Sequence, residues 1–212
     1  MNHRILITGS QGLLGTALES LLSIQGTDVV GFDIRAQDET FGDVRDHGSL
    51  RRAMTDVDGV IHLAAVSRVI WGERDPEACW ATNVQGLKNV LEIAAALPKP
   101  PWVIFASSRE VYGQPDRLPV TEECPLRPVN VYGRTKVEGE RLILAAQRSG
   151  LRACSARLSN VFGTVSDHAD RVVPAFARAA ALGMELRIEG PENTFDFTHI
   201  DDVAQGIAAL AA

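Results

Sequence analysis

The chain has 212 residues, 45% apolar and 23% charged, which is enough for one sizeable folded domain and too apolar for a disordered polymer. Lys and Arg number 21 against 27 Asp and Glu, a formal net charge of −6. An acidic chain without a long basic run is a poor match for a phosphate backbone, so nucleic acid is not an expected partner.

No stretch reaches the ~20 consecutive apolar residues of a membrane helix, and Arg4 runs straight into Ile5-Leu6-Ile7 and then glycines without a signal-peptide layout. No membrane partner and a cytoplasmic location are therefore expected. Cys79, Cys124 and Cys154 are far apart with no C-x-x-C spacing and read as free thiols in a reducing compartment. The 5 His residues are scattered, none at ligand spacing from another His or Cys, so no metal site is expected.

A short apolar run, a turn and a helical pattern recur along the chain. The first strand is predicted at Arg4 to Thr8. A helix follows at Leu13 to Ile24, with Leu14, Ala17, Leu18, Leu21 and Leu22 on the face that Leu13 begins. Further strands are predicted at Asp28 to Asp33, Val60 to Leu63, Trp102 to Ala106 and Arg152 to Leu158. Helices are predicted at Gly48 to Met54, Pro76 to Leu97 and Val131 to Ser149. Near-continuous apolar strands alternating with helices imply an α/β protein whose parallel sheet is covered on both faces, in the doubly wound Rossmann arrangement. After Asn160 the character changes. Arg171 to Leu182 reads as helix, Glu185 to Glu189 and Thr194 to His199 as short strands, and Asp202 opens a helix that still runs at Ala212. The expected division is a dinucleotide-binding domain over 1–160 and a partial, abbreviated substrate lobe over 161–212.

The first strand feeds Gly9-Ser10-Gln11-Gly12-Leu13-Leu14-Gly15, a G-x-x-G-x-x-G turn that opens a helix. Small residues there permit a tight turn and let backbone approach a pyrophosphate, whose charge a helix N-terminus favours. Gly9, Gln11, Gly12, Leu13 and Gly15 are the expected contacts. Asp33 closes the second strand, where a carboxylate can accept both adenosine ribose hydroxyls and repels a 2′-phosphate, so NAD is expected over NADP; Arg35, two residues on, softens that preference. Asp43 and Val44 are either at the adenine amino group or, for Asp43, simply a solvated turn carboxylate.

Tyr132 and Lys136 stand four apart on a predicted helix and so project from one face. A phenol with an ordinary pKa near ~10 is a poor base at neutral pH. A lysine ammonium beside it, with a positive nicotinamide ring, favours the phenolate. Ser107 and Ser108 end the strand that leads to the ligand-binding edge of such sheets. Ser107 reads better as a backbone cap and Ser108 as a hydrogen-bond partner of a reacting oxygen.

Together with His62-Leu63-Ala64-Ala65, Asn83-Val84-x-Gly86, Ser108-x-x-Val111-Tyr112-Gly113 and Asp196-Phe197-x-His199-x-x-Asp202-Val203, these motifs resemble the extended short-chain dehydrogenase/reductase family, and within it the NAD-dependent epimerase/dehydratase branch that works on nucleotide sugars. The resemblance implies a catalytic Ser108, Tyr132 and Lys136, with Tyr132 as acid/base and Lys136 also holding the nicotinamide ribose. It places Leu63, Ala64 and Ala65 along the cofactor groove and Asn83 at its pyrophosphate side. It implies a homodimer formed by the helices around Pro76 to Leu97 and Val131 to Ser149. Asn160 falls either on the substrate side or in a loop-ordering role. The reaction is an epimerisation, or hydride transfer without return, as in a sugar or uronate dehydrogenase or a carbonyl reductase; a dinucleotide-binding module without turnover is the remaining alternative. Glu110 resembles the glutamate that abstracts a proton in sugar dehydratases. Arg109 stands where some of those enzymes supply an aspartic acid, and a guanidinium cannot protonate a departing hydroxyl, so dehydration is disfavoured. Phe195 precedes Asp196-Phe197 where many nucleotide-sugar members carry an arginine that grips the diphosphate. Either Arg171 or Arg178 replaces that cation, or the substrate carries no diphosphate, and UDP and dTDP sugars are expected to bind more weakly than is usual.

Overall fold

The computed structural model describes residues 3–165, 167–188, 190 and 192–212. Five parallel strands, β1 (Arg4–Thr8), β2 (Asp28–Phe32), β3 (Gly59–His62), β4 (Trp102–Ser108) and β5 (Ala153–Leu158), form one sheet in the order β2-β1-β3-β4-β5. The chain leaves β1 toward one edge and returns to its other side at β3. The carboxyl ends of β1 and β3 therefore diverge into the crevice where doubly wound sheets bind ligands.

The middle strands are largely apolar because alternate residues enter two different cores. Leu6, Val60, Val103 and Phe105 face one layer, made by α2 (His47–Ala53), α5 (Gly86–Ala96) and α6 (Val131–Arg148), through Leu50, Leu87, Val90, Ile93 and Ile143. Ile5, Ile7, Ile61 and Ile104 face the other, which Leu18 and Leu22 of α1 (Leu13–Ile24) share with Val203, Ala204 and Ile207 of α8 (Ile200–Ala211). The expected division at residue 160 assigns α8 to the lobe, and the apolar face of α8 closes the sheet beside α1.

The predicted elements fall close to the observed ones, and the departures have physical causes. β4 runs two residues past Ala106 because Ser107 and Ser108 still pair with Arg157 and Leu158 of β5. The helix expected over Pro76 to Leu97 is α4 (Pro76–Trp80), a π-helical turn at Ala81–Gln85, and then α5. The wide turn carries Asn83, whose side chain ties to Val66, Cys79 and Thr135. Six-residue α3 (Val69–Arg74) is too short to leave a period in the sequence. In the C-terminal part, β6 (Asn160–Phe162) pairs with β7 (Phe197–His199), and α7 (Val172–Ala181) lies between them in sequence. Residues 185–188 are not strand, and the remaining residue of that predicted element, Glu189, lies outside the described residues. α8 opens at Ile200, two residues before the expected start, because the His199 ring accepts from the Asp201 backbone N–H.

If α8 belongs to the sheet core, Ile207→Ala should cost about 2–4 kcal/mol of unfolding free energy, as buried isoleucine truncations do. Equilibrium denaturation measures this, and a loss below about 0.5 kcal/mol would contradict the packing described.

Candidate active site

A cavity of about 910 Å³ runs along the carboxyl edge of the sheet, from the glycine turn and Asp33, past Ala64, to Tyr132, Arg171 and Phe195. Its first end is built by close approach. Gly9 has φ +75°, and a Cβ on it would lie 2.8 Å from the Ala64 nitrogen; a Cβ on Gly15 would lie 2.3 Å from the Gly9 carbonyl. Only residues without side chains let β1, α1 and Ala64 close up in this way. Gly12 caps α1 without offering it a side chain, so the first-turn N–H groups of α1 are left to whatever lies in the cavity.

Asp33 is 6% exposed, with Oδ2 accepting from Gln11 N at 2.9 Å and Oδ1 from Arg35 N at 2.8 Å. The carboxylate is thereby fixed at the mouth of the turn, and the Arg35 guanidinium stands 3.5 Å from it. Leu13, Leu63, Ala64, Ala65 and Val44 line the cavity. Gln11 does not; its contribution is the backbone N–H that orients Asp33. Asp43 lines the wall, but its carboxylate is engaged by Arg45, which holds it below the usual carboxylate range. Asn83 sits behind the wall, 1% exposed, with its amide committed to Val66, Cys79 and Thr135. From there it holds the backbone of Val66, next to the groove wall formed by Leu63, Ala64 and Ala65. The glycine cradle, the open N-terminus of α1 and the fixed Asp33 carboxylate together fit a dinucleotide with an unphosphorylated adenosine ribose.

The second part of the cavity brings Ser108, Tyr132 and Lys136 together. Asn130 caps α6 by accepting from Gly133 N at 2.7 Å, which sets the first turn that carries Tyr132. The Lys136 ammonium is 3% exposed; it donates to the Ala106 carbonyl at 2.7 Å and lies 5.6 Å from the Tyr132 ring centre. Burial pulls the Lys136 pKa down to about 8. Burial pushes the Tyr132 phenol up to about 12, against the pull of the Ser108 hydroxyl through a hydrogen bond and of the Arg171 charge. Desolvation therefore outweighs the groups that favour the phenolate in the protein alone, and a positive nicotinamide ring would act in the opposite direction. Beneath the groove, His62 accepts or donates at Nδ1 with Thr8 Oγ1, 2.8 Å away, and burial lowers its pKa to about 3, so it is neutral.

Ser107 is not the backbone cap that the sequence suggested; Ser108 makes such a contact while also bonding the Tyr132 phenol. Ser107 donates at 2.5 Å to Glu140, one turn beyond Lys136, and Ser108 is the residue whose oxygen caps a backbone N–H, that of Glu110. Arg157 of β5 grips the same Glu140 through two nitrogens, at 2.8 and 2.7 Å, and reaches the Tyr112 hydroxyl at 2.7 Å. A charged residue inside an apolar strand was the available sign of this network.

On the far side, Glu110 is held at one oxygen by Asn130 and at the other by Arg109, 2.7 and 2.9 Å away. Asn160 lines the cavity and also orders the loop by donating to the Asp196 carbonyl. Arg171 lines the cavity beside its ion partner Asp167, whereas Arg178 is exposed on α7 and does not. No local pattern marks the rim here, where Arg68 makes a two-pronged bond to Asp170, 2.8 Å at each contact, and Trp71 meets His168 edge to face.

Comparison with known proteins agrees with this geometry. Residues 5–212 match the NAD dependent epimerase/dehydratase family, and the chain belongs to that family. It is 30% identical to a UDP-glucose 4-epimerase of Streptomyces lividans, over 97% of this chain and 70% of that one. Among solved structures, an NAD-dependent NDP-hexosamine 5,6-dehydratase of tunicamycin biosynthesis superposes with a TM-score of 0.88 at 32% identity, over 99% of this chain and 72% of that one. A UDP-glucose 4-epimerase from Brucella ovis, solved in complex with NAD, gives 0.85 at 29%, over 97% and 72%. The fold is thus that of NAD-dependent nucleotide-sugar epimerases and dehydratases. Among the described residues, no helix is long and apolar enough to cross a membrane.

Asp33→Ser should weaken NAD about tenfold or more and narrow the preference over NADP, since it removes the ribose acceptor and leaves Arg35 to meet a 2′-phosphate. Fluorescence titration with both dinucleotides checks this, and a parent protein that already prefers NADP would contradict the role of Asp33.

Proposed function

We propose that the chain binds NAD along the glycine turn and Asp33, and oxidises a sugar hydroxyl at Ser108, Tyr132 and Lys136. The observation that carries this reading is the convergence of those three side chains on the cavity that the glycine cradle opens. NAD, when bound, accepts the hydride of the sugar carbon. Tyr132 takes the hydroxyl proton at its phenolic oxygen, and Ser108 holds the sugar oxygen in line through the hydroxyl it shares with Tyr132. Lys136 keeps a buried positive charge on the Ala106 carbonyl beside the phenol, favouring the phenolate, and offers its remaining N–H groups to the nicotinamide ribose.

Epimerisation, in which the keto intermediate is reduced again on its other face, is favoured over dehydration. Both oxygens of Glu110 are bound, by Asn130 and Arg109, so the residue is poorly placed to abstract a proton, and Arg109 cannot act as an acid. A one-way dehydrogenase acting on a sugar without a nucleotide is the second reading. It is supported by Phe195, an aromatic ring on the cavity wall at the position where the resemblance leads one to expect a diphosphate-gripping arginine. The active form on either reading is a homodimer through α4–α5 and α6, which leave Trp80 and Leu144 exposed.

Tyr132→Phe keeps the ring and removes its only ionisable atom, so turnover should fall about 100-fold or more while NAD still binds. The measurement is made with a panel of UDP-hexoses and free hexoses, and unchanged turnover removes Tyr132 from the mechanism. Turnover confined to the nucleotide sugars supports epimerisation; turnover confined to free sugars, with NADH accumulating, supports the second reading.

A further inference from the structure

Three arginines line the substrate half of the cavity, and their free donors differ. Arg68 commits both terminal nitrogens to Asp170, and Arg171 directs Nη1 at Asp167 and the Val161 carbonyl. Arg109 is held by three neighbours from three segments. Nε donates to Asn160 Oδ1 at 3.3 Å, Nη2 stands 2.9 Å from Glu110 Oε1, and the guanidinium carbon lies 5.5 Å from the centre of the Phe195 ring. Each of those neighbours is itself fixed. Asn160 is bonded to the Asp196 carbonyl, Glu110 to Asn130, and Phe195 packs on Phe197. Nη1 has no partner among the described residues, and the side chain remains 38% exposed on the cavity wall. The result is a guanidinium whose plane is set in advance and whose open edge presents N–H donors, one residue after Ser108.

We propose that Arg109 is the specificity residue of this site, and that its open edge takes a carboxylate carried by the sugar ring, so that the preferred substrate is a sugar acid rather than the neutral sugar. The inference rests on the proposed sugar-oxidising function. Ser108 lies at the reacting hydroxyl in that reading, and an arginine side chain starting from the next residue spans the distance to a substituent one or two ring carbons away. A carboxylate suits the open edge better than a neutral hydroxymethyl group, because charge-assisted, forked bonds to a preoriented guanidinium are the strong ones. Glu110 neutralises the pair but occupies a different nitrogen, so it orients the fork without closing it. A ring resting near Phe195 would be held from its apolar side at the same time.

The test compares each acid with its neutral counterpart, UDP-glucuronate with UDP-glucose and free glucuronate with free glucose, in the parent, Arg109→Gln and Arg109→Lys. The reading is the ratio of kcat/KM for acid over neutral sugar within whichever pair turns over. The parent should favour the acid by about tenfold or more. Arg109→Gln should lower that ratio by about tenfold or more, with Arg109→Lys between them, since it keeps the charge and loses the fork. If Arg109→Gln is too slow to assay, calorimetric binding of the same two ligands gives the corresponding ratio. A ratio unchanged by the substitution overturns the proposal, and this includes the case in which Arg109 holds a phosphate, because both UDP sugars then weaken equally. A parent that uses the neutral sugar as well as the acid also overturns it while leaving the sugar-oxidising function standing. A parent that turns over neither pair removes both.

Discussion

Helix α6 lies so close on β4 that a Cβ on Gly139 would sit 2.4 Å from the Phe105 ring. That contact fixes the depth at which the helix rides on the sheet. Lys136, one turn earlier, is then forced out of water and onto the Ala106 carbonyl, and Tyr132, a further turn back, faces the end of β4 where Ser108 stands. The polar ties among Ser107, Glu140 and Arg157 lock the same helix to β4 and β5 from behind. A buried carboxylate with a two-nitrogen partner and a hydroxyl donor is costly to displace, so the network acts chiefly by making one register of α6 on the sheet better than its neighbours.

Desolvation then sets the chemistry. It raises the phenol and lowers the ammonium, so that in the protein alone Tyr132 is a neutral phenol and Lys136 carries a charge that is lost above about pH 8. The site is an acid at rest. In the proposed function it serves as a base once the positive nicotinamide ring of NAD, held by the cradle of Gly9, Gly12 and Gly15, lies beside it.

Much of this was legible in the residues. Apolar strands of four to seven residues, each followed by a helical period, define the sheet, and the turn Gly9 to Gly15 and the pair Tyr132 and Lys136 mark the site because each needs residue types that few other structures need there. What was not legible depends on distance in space. α8 looked like the start of another lobe because its apolar face is the same whether it meets a new partner or the back of β1 and β3. The bond between Ser107 and Glu140 and the bond between Arg68 and Asp170 join residues 33 and 102 positions apart, with no local pattern at either end. The Asn83 amide was read toward the ligand, whereas the neighbouring π-helical turn aims it at Val66 and Thr135.

The central claim is that burial holds Tyr132 as a phenol until NAD is bound. It is tested most directly by following the Tyr132 ring carbon by NMR with labelled tyrosine, as a function of pH, using Tyr132→Phe to assign its signal against Tyr112. The account predicts no ionisation of Tyr132 up to about pH 11 in the free protein, and a midpoint at least about one unit lower in the NAD complex, about 1.4 kcal/mol of added stabilisation of the phenolate. A Tyr132 that titrates below about pH 10 without NAD, or whose midpoint NAD leaves in place, would contradict it.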